Sequence, residues 1–545
     1  MIGVNFNARL SDAMNKPASR TTPALLAEIT ARNPEHDALI DGERRWSYAA
    51  LSADVARLAQ ALFANGVRHG DRVGMLAGNR AEWILGHFAA MSLGAITVGL
   101  NTWSTARELA YQLEHAAVKL LFVEPQFRQR DFVALLAEAR GLANGLPQLR
   151  QVVALDATVP DVCIQYDAWR RAGDHVDARA FAGAVAQVTP DDVACLLYTS
   201  GSTARPKGVP LVHCDLIDNM WEIGERQHLV ANDRLWLAVS LFWSLGCVNA
   251  LFALITHGGT LVLQPHFDAA EALRLMEAER CTVFYGTPNM ALALAEHPDR
   301  PRRDLSALRT GVTIGTPAQV RRVAELGAKQ ICNVYGLTEA YGNSTVTDAS
   351  LPLEKRIVTV GQALAGVEVG IIDPVTGAAK RPGVLGEIVL RGHLTPGYWN
   401  DPERTAEVLT GDGWLRTGDL GWLDDDGYLY YRGRLKEMVK TGGINVAPAE
   451  VEEVLSAHPA VELALVTGIP DERLDEALAA VIVLRRGQQA DADDLSAHCR
   501  AELAAYKTPR HFRFVEASAL PLTTTGKLQR NRLPELFTPL TGFVA

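Results

Sequence analysis

The 545 residues predict an α/β protein: a large N-terminal domain of stacked α/β subdomains plus a β-rich subdomain, then a small α+β C-terminal domain. Three observations predict it. Helix-like and strand-like patterns alternate through the first part of the chain, turn-rich short strands take over after Asp373, and a compact helix-and-strand unit follows Gly433. Strands alternating with helices imply parallel sheets covered on both faces.

The elements follow in order. Leu51–Ala64 spaces its apolar residues helically, and Thr105-Ala-Arg-Glu108 reads as a capping box opening a helix through His115. Apolar runs at Leu120–Val123, Val193–Tyr198, Thr260–Leu263, Val283–Tyr285 and Gln330–Val334 read as buried strands, with helices such as Ala269–Ala278 and Pro317–Leu326 between them. The stretch Leu235–Ile255 carries no charge and has bilayer-spanning length. Ser240, Ser244, Gly246 and Asn249 interrupt it and no basic cluster flanks it, so it reads as a buried strand, a loop at Ser244–Gly246 and a buried helix. Past Asp373, Gly386–Arg391 and Tyr428–Arg432 read as short strands of a more antiparallel region. Beyond Gly433 come a helix from Pro448, strands near 461–467 and 477–484, a helix near 491–505 and a strand near 510–515.

Composition narrows the function. With 48% hydrophobic and 21% charged residues, the chain can bury roughly two to four cores. A net charge of −10 argues against nucleic-acid or anionic-membrane partners, though not against a nucleotide ligand. Seven scattered cysteines without a CxxC pair point to reduced thiols in a cytoplasmic protein and spell no zinc site. Neither a signal-peptide core nor a lipidation box is readable, and no transmembrane segment is expected. A homodimer is compatible with the sequence and not specified by it.

The densest local signal is Tyr198-Thr-Ser-Gly-Ser-Thr-Ala-Arg-Pro-Lys-Gly-Val209, which follows an apolar strand. Its hydroxyls (Thr199, Ser200, Ser202, Thr203), Gly201 and the ammonium of Lys207 suit phosphate oxygens. It is not a Walker loop, because Pro206 precedes the lysine and Gly208 follows it. Taken alone, the segment also fits an ordinary Ser/Thr/Gly loop. The string resembles the phosphate loop of the adenylate-forming superfamily: acyl-CoA synthetases, peptide-synthetase adenylation domains and luciferases. Four further strings resemble that superfamily's later signatures in order: Asn333-Val-Tyr-Gly-Leu-Thr-Glu-Ala340; Gly411–Asp419 with Asp426–Arg434; Lys436–Asn445 with Pro448 and Glu450; and Pro521-Leu-Thr-Thr-Thr-Gly-Lys527.

The resemblance covers nearly the whole chain and implies an AMP-forming acyl-CoA ligase. Such an enzyme uses ATP, Mg²⁺ and coenzyme A to activate a carboxylic acid and transfer it to a thiol. Two anions must meet, so catalysis is mostly neutralisation and alignment. By resemblance, Thr199–Thr203 and Lys207 hold the outer phosphates, Thr338 donates to the α-phosphate, and Glu339 is the Mg²⁺ ligand. Tyr335, Gly336 and Gly315-Thr316-Pro317 line the base, while Asp419 and Arg434 take the ribose. Lys527 bridges the carboxylate and the α-phosphate. Lys436 marks the hinge between domains 1–433 and 434–545, the second being mobile, and Gly442-Gly443 line the pantetheine channel. Trp243, Thr287 and Val312 are expected in the acyl pocket, whose apolar character suggests a fatty or aromatic acid. Two positions depart from the usual pattern: Ala204 stands where relatives have Gly, and Trp243 replaces a common His. Loading of a carrier-protein thiol, a luciferase-like oxygenase and a non-catalytic nucleotide sensor share these strings and stay open at this point.

Overall fold

The computed structural model describes residues 15–156, 161–199, 206–441, 444–471, 474–503, 505–522 and 528–537. The chain divides into two compact units, Met1–Val369 with Leu390–Leu415 and Asp426–Leu429 in the first, and Gly370–Val389, Arg416–Asp425 and Tyr430–Ala545 in the second.

Apolar runs too short for helices become the strands of two large sheets in the first unit. The seven-stranded sheet runs in the order Lys207–Val212, Val193–Thr199, Ile96–Gly99, Arg72–Leu76, Leu120–Val123, Gln151–Ala154, Ile164–Gln165. All its pairs are parallel except the first, an antiparallel edge. The nine-stranded sheet runs Gln362–Ala363, Thr345–Val346, Gln330–Tyr335, Thr310–Thr313, Val283–Tyr285, Arg234–Leu237, Thr260–Leu263, Asp37–Asp41, Arg44–Ser47. Its strands from Gln330–Tyr335 through Asp37–Asp41 pair in parallel.

The largest core cluster draws Val73 and Met75 from one sheet and Leu235 and Leu261 from the other. The helices Ala81–Met91 and Leu251–Thr256 join it and are buried almost all round. That explains the uncharged stretch from Leu235 to Ile255, since a helix apolar on every face belongs inside a core or a membrane. Among the described residues no helix is long and apolar enough to cross a membrane. The predicted loop at Ser244–Gly246 is instead the start of a π-helix, Ser244–Ala250, continuing into Leu251–Thr256. Trp243 carbonyl accepts both Gly246 N–H at 2.9 Å and Cys247 N–H at 3.0 Å, so the polar residues wind rather than turn. The capping box at Thr105 is formed: its hydroxyl accepts Glu108 N–H, and Glu108 accepts Thr105 N–H at 2.8 Å.

In the second unit, Val461–Asp471 and Asp475–Leu484 make one long antiparallel hairpin, joined by Val439–Thr441, Ile444–Val446 and His511–Phe514 in a five-stranded sheet. The helices Pro448–Ala457 and Ala492–Glu502 contribute Val451, Leu455, Leu495 and Cys499 to its separate core. All seven cysteines are free, six of them buried.

Two buried histidines make the first unit sensitive to acid. His87 lies fully buried against Trp83 and Phe252, with ring centroids 4.9 and 5.9 Å away, and neither ring nitrogen has a protein partner. Burial, with His213 nearby, holds His87 down to about 3, and burial holds His213 down to about 4. The folded state keeps both neutral, whereas the unfolded chain protonates near pH 6.5. Stability from this source is therefore intact above about pH 6.5 and is lost as pH falls towards 4 and then 3. His87→Phe keeps ring and volume, so the drop in melting temperature between pH 7.5 and 5 should be smaller than in the unchanged protein. An equal drop in both, read by calorimetry, would show that His87 is not responsible.

Candidate active site

Parallel strands deliver their loops to one edge of a sheet, where polar side chains can leave the core. In the first unit, four neighbouring strands of the nine-stranded sheet do this. Gln330–Tyr335 ends in Gly336 and the 3₁₀ turn Thr338–Ala340, and Thr310–Thr313 leads to Gly315-Thr316-Pro317. Val283–Tyr285 leads to Thr287, and Arg234–Leu237 leads to Trp243.

Tyr335 is buried at 3% exposure, at the last position of its strand. Gly336 allows the chain to fold back: a Cβ there would stand 2.3 Å from Gly342 carbonyl oxygen. Buried polar groups fix this strand. Arg356 donates from Nε to Leu351 carbonyl at 2.9 Å and from a terminal nitrogen to Lys329 carbonyl at 2.6 Å. Asn333 Nδ2 donates to Thr359 carbonyl at 3.1 Å, and Asn333 N–H to Thr347 Oγ1 at 2.9 Å. Thr316 caps the helix Pro317–Leu326, where Gln319 Oε1 accepts its N–H at 2.9 Å.

The charged centre beside this edge draws on both sheets. Glu339 is 9% exposed, and its Oε1 accepts the Tyr398 hydroxyl at 2.8 Å. Lys207 Nζ donates to the same hydroxyl at 3.2 Å and sits 4.5 Å from the ring centroid. Thr338 Oγ1 donates to Ser244 Oγ at 3.4 Å. Thr199 pairs with Lys207 across the antiparallel edge, which fixes these two residues in register. Ser200, Gly201, Ser202, Thr203 and Ala204 lie outside the described residues. A cation, hydroxyls and a carboxylate brought together from two sheets can bind phosphates together with a hard divalent cation.

Trp243 belongs to an aromatic trio: its ring centroid lies 5.3 Å from Trp103 and 5.4 Å from Phe242, and Trp103 lies 5.1 Å from Phe242. Asn79 anchors the chain leading to it, donating from Nδ2 to Val239 carbonyl at 3.0 Å and accepting Leu241 N–H at 2.9 Å. Thr287 caps the helix Pro288–Glu296 by accepting Met290 N–H at 3.4 Å. Val312 is 1% exposed within its strand, part of the core.

The second unit presents Asp419, buried, on the strand Leu415–Leu423, with Arg434 Nε 3.4 Å from its Oδ1. The backbone before it needs Gly418, whose φ is +69°. Buried Glu387 holds that turn: its Oε1 accepts Gly418 N–H at 3.2 Å and its Oε2 accepts Arg416 Nε at 3.0 Å. Thr417 Oγ1 completes it, accepting Asp419 N–H at 3.1 Å and donating to Ile388 carbonyl at 2.6 Å. Tyr431 is shifted upward by burial and by the Asp419 charge. Lys436 lies in the 3₁₀ turn Leu435–Glu437. Gly442, Gly443 and Lys527 lie outside the described residues.

Among the described residues no group of three or more His, Cys, Asp or Glu side chains could hold a metal. Mg²⁺ does not need one, because it is commonly bound through one or two carboxylates plus phosphate and water oxygens. Glu339, with one oxygen engaged by a neutral hydroxyl, has the chemistry for such a ligand.

Comparison with known proteins bears on the same segments. The profile described as AMP-binding enzyme matches residues 26–399, and that described as AMP-binding enzyme C-terminal domain matches residues 450–527. The acyl-CoA ligase SID4 of Ajellomyces capsulatus is 36% identical over 518 residues, covering 91% of this chain and 87% of its own. The mitochondrial medium-chain acyl-CoA ligase ACSF2 of Danio rerio is 32% identical over 541 residues, covering 95% and 88%. The crystal structure of the anthranilate CoA ligase AuaEII with anthranoyl-AMP matches at a TM-score of 0.84 and 29% identity, covering 95% of this chain and 97% of that one.

Tyr398, Glu387, Asn79 and Trp103 are absent from the sequence-based expectations. Glu387→Ala strips an acceptor from a half-buried N–H and a half-buried guanidinium, at a cost of about 1 kcal/mol. Amide hydrogen exchange should then quicken at Gly418 and Asp419 while amides of the strand Gln330–Tyr335 stay protected. Unchanged exchange at Gly418 would remove Glu387 from this role.

Proposed function

Because the chain belongs to the AMP-binding enzyme family, we propose that it is an ATP-dependent carboxylic acid:CoA ligase of the AMP-forming kind. A carboxylate oxygen attacks the α-phosphorus of ATP and pyrophosphate leaves, giving an acyl-adenylate. The thiol of coenzyme A then attacks the acyl carbon; AMP leaves and the thiol proton is released, so a thioester replaces the mixed anhydride.

What supports the reading most is that Lys207, from the edge strand of one sheet, and Glu339, from the turn that follows a strand of the other, meet at the Tyr398 hydroxyl, with Thr338 next to Glu339 in that turn. Both reactants are anions, so a preorganised ammonium and hydroxyl donors lower the barrier where negative charge crowds together. In this reading Lys207, with Thr199, Ser200, Gly201, Ser202 and Thr203, neutralises the outer phosphates, and Thr338 donates to the α-phosphate. Glu339 would hold Mg²⁺, which would supply further charge neutralisation there. Tyr335, Gly336 and Gly315-Thr316-Pro317 receive the base, and Asp419 and Arg434 receive the ribose diol. Lys527 steadies the carboxylate against the α-phosphate in the first half-reaction. A hinge at Lys436, between domains 1–433 and 434–545, exchanges Lys527 for Gly442-Gly443 before the second.

The acid is fatty or aromatic in this proposal, since Trp243 stands in an apolar aromatic trio, and Thr287 and Val312 complete the pocket. Relatives named as medium-chain and anthranilate ligases accord with that class. The protein is proposed to act in the cytoplasm, and its assembly as a homodimer stays a proposal. Carrier-protein loading and a non-catalytic sensor are not favoured, because the relatives reported above are named CoA ligases.

Carboxylate-dependent exchange of pyrophosphate into ATP, followed by thioester formation on adding CoA, tests the reaction; a chain that exchanges nothing with any fatty or aromatic acid is not this enzyme. Lys527→Ala should slow adenylation by roughly a hundredfold or more, the scale of losing one charge-stabilising donor, while sparing thioester formation from supplied acyl-adenylate. Gly443→Trp should do the reverse. Equal damage to both half-reactions from both changes would contradict the division of labour.

A further inference from the structure

Tyr398 touches both charged groups of the first unit's strand edge, and nothing in the signature strings assigns it a role. It lies on the segment Thr395–Trp399, pinned to both flanking signatures. Thr395 N–H donates to Glu339 carbonyl at 2.7 Å, Thr395 Oγ1 to Pro210 carbonyl at 2.8 Å, and Trp399 N–H to Gly208 carbonyl at 2.8 Å. Tyr398 N–H is itself held by Thr405 Oγ1 at 2.9 Å, from the helix Pro402–Val408. The side chain therefore stands at a fixed height between Lys207 and Glu339.

We propose that Tyr398 is a positioning residue that parks the Lys207 ammonium until nucleotide arrives and orients the Glu339 carboxylate for the divalent cation. The inference rests on the reading of Lys207 and Glu339 as nucleotide-binding groups. A phenol has one proton and two lone pairs. The proton goes to Glu339 Oε1 at 2.8 Å, which leaves a lone pair to accept the ammonium at 3.2 Å, with the ring face 4.5 Å from the same nitrogen.

A direct Lys–Glu ion pair would tie up the two charges that the nucleotide needs. Interposing a neutral hydroxyl keeps both in register, and an arriving phosphate takes the ammonium from an uncharged oxygen rather than from a carboxylate. The hydroxyl stays on Oε1 and fixes the carboxylate plane, as hydrogen-bonded partners of metal-binding carboxylates do.

The roles of Tyr398 have opposite signs in one experiment. Tyr398→Phe keeps the ring and removes the hydroxyl. Titration calorimetry should show MgATP binding weakened about tenfold, the loss typical of removing a ligand's hydrogen-bond partner. Binding of ATP without metal should be unchanged or tighter, since the ammonium no longer has a hydroxyl to leave. Equal weakening of both would mark Tyr398 as merely structural and overturn the proposal. Lys207→Ala and Glu339→Gln are measured alongside: if both weaken MgATP while Tyr398→Phe changes nothing, the positioning role alone fails. If neither weakens it, the nucleotide reading of the site fails with it. Should Tyr398→Phe not fold, 4-aminophenylalanine at position 398 keeps the packing and the donor to Glu339 while offering Lys207 a poorer acceptor. MgATP binding should then hold and metal-free ATP should bind as tightly or tighter; weakening of both would overturn the proposal.

Discussion

Parallel strands all finish at the same edge, and that constraint decides where this chain can do chemistry. Val283–Tyr285, Thr310–Thr313, Gln330–Tyr335 and Arg234–Leu237 are buried along most of their length, so they have no room for exposed charge. The polar residues assigned to the site come at or just beyond their last ladder positions. Backbone N–H and C=O groups leave the sheet there and must find new partners. Thr316 and Thr287 find them as helix caps, and the turn at Thr338–Ala340 returns its chain to Thr395. The Tyr398 hydroxyl joins Glu339 of that turn to Lys207, the first residue of the edge strand Lys207–Val212 in the other sheet.

Much of the fold was legible because period and burial coincide. The strands Leu120–Val123, Thr260–Leu263 and Val283–Tyr285 and the helices Ala269–Ala278 and Pro317–Leu326 occupy the residues that pattern alone assigns them. The segment around Ser244 failed for a physical reason. Serine and glycine there satisfy a turn rule, but a π-helix uses the same residues, and only the longer-range hydrogen bonds separate the two. Signature residues were legible through resemblance. Their supports were not. Glu387, Arg356 and Asn333 are buried polar groups whose meaning lies in a partner distant in sequence, and a residue type does not disclose its partner. Tyr398 looked like one aromatic among twelve tyrosines, and only its two contacts single it out.

Of the two departures from the family pattern, Ala204 falls outside the described residues, and Trp243 is given a context. Its ring packs with Trp103 and Phe242 on a loop that buried Asn79 holds from two sides. A residue so placed is stiff. In the proposed acyl pocket such an apolar wall would sort acids by packing alone, which is modest discrimination: about 1–3 kcal/mol per methylene.

The proposed adenylate site lies at the strand edge that carries Tyr335 and Thr338. A crystal structure with a non-hydrolysable acyl-sulfamoyl adenosine tests it most directly. The base should lie against Tyr335 and Gly315-Thr316-Pro317, with the sulfamoyl oxygens within hydrogen-bond reach of Thr338. An analogue bound away from these residues, or failing to bind at all, would contradict it.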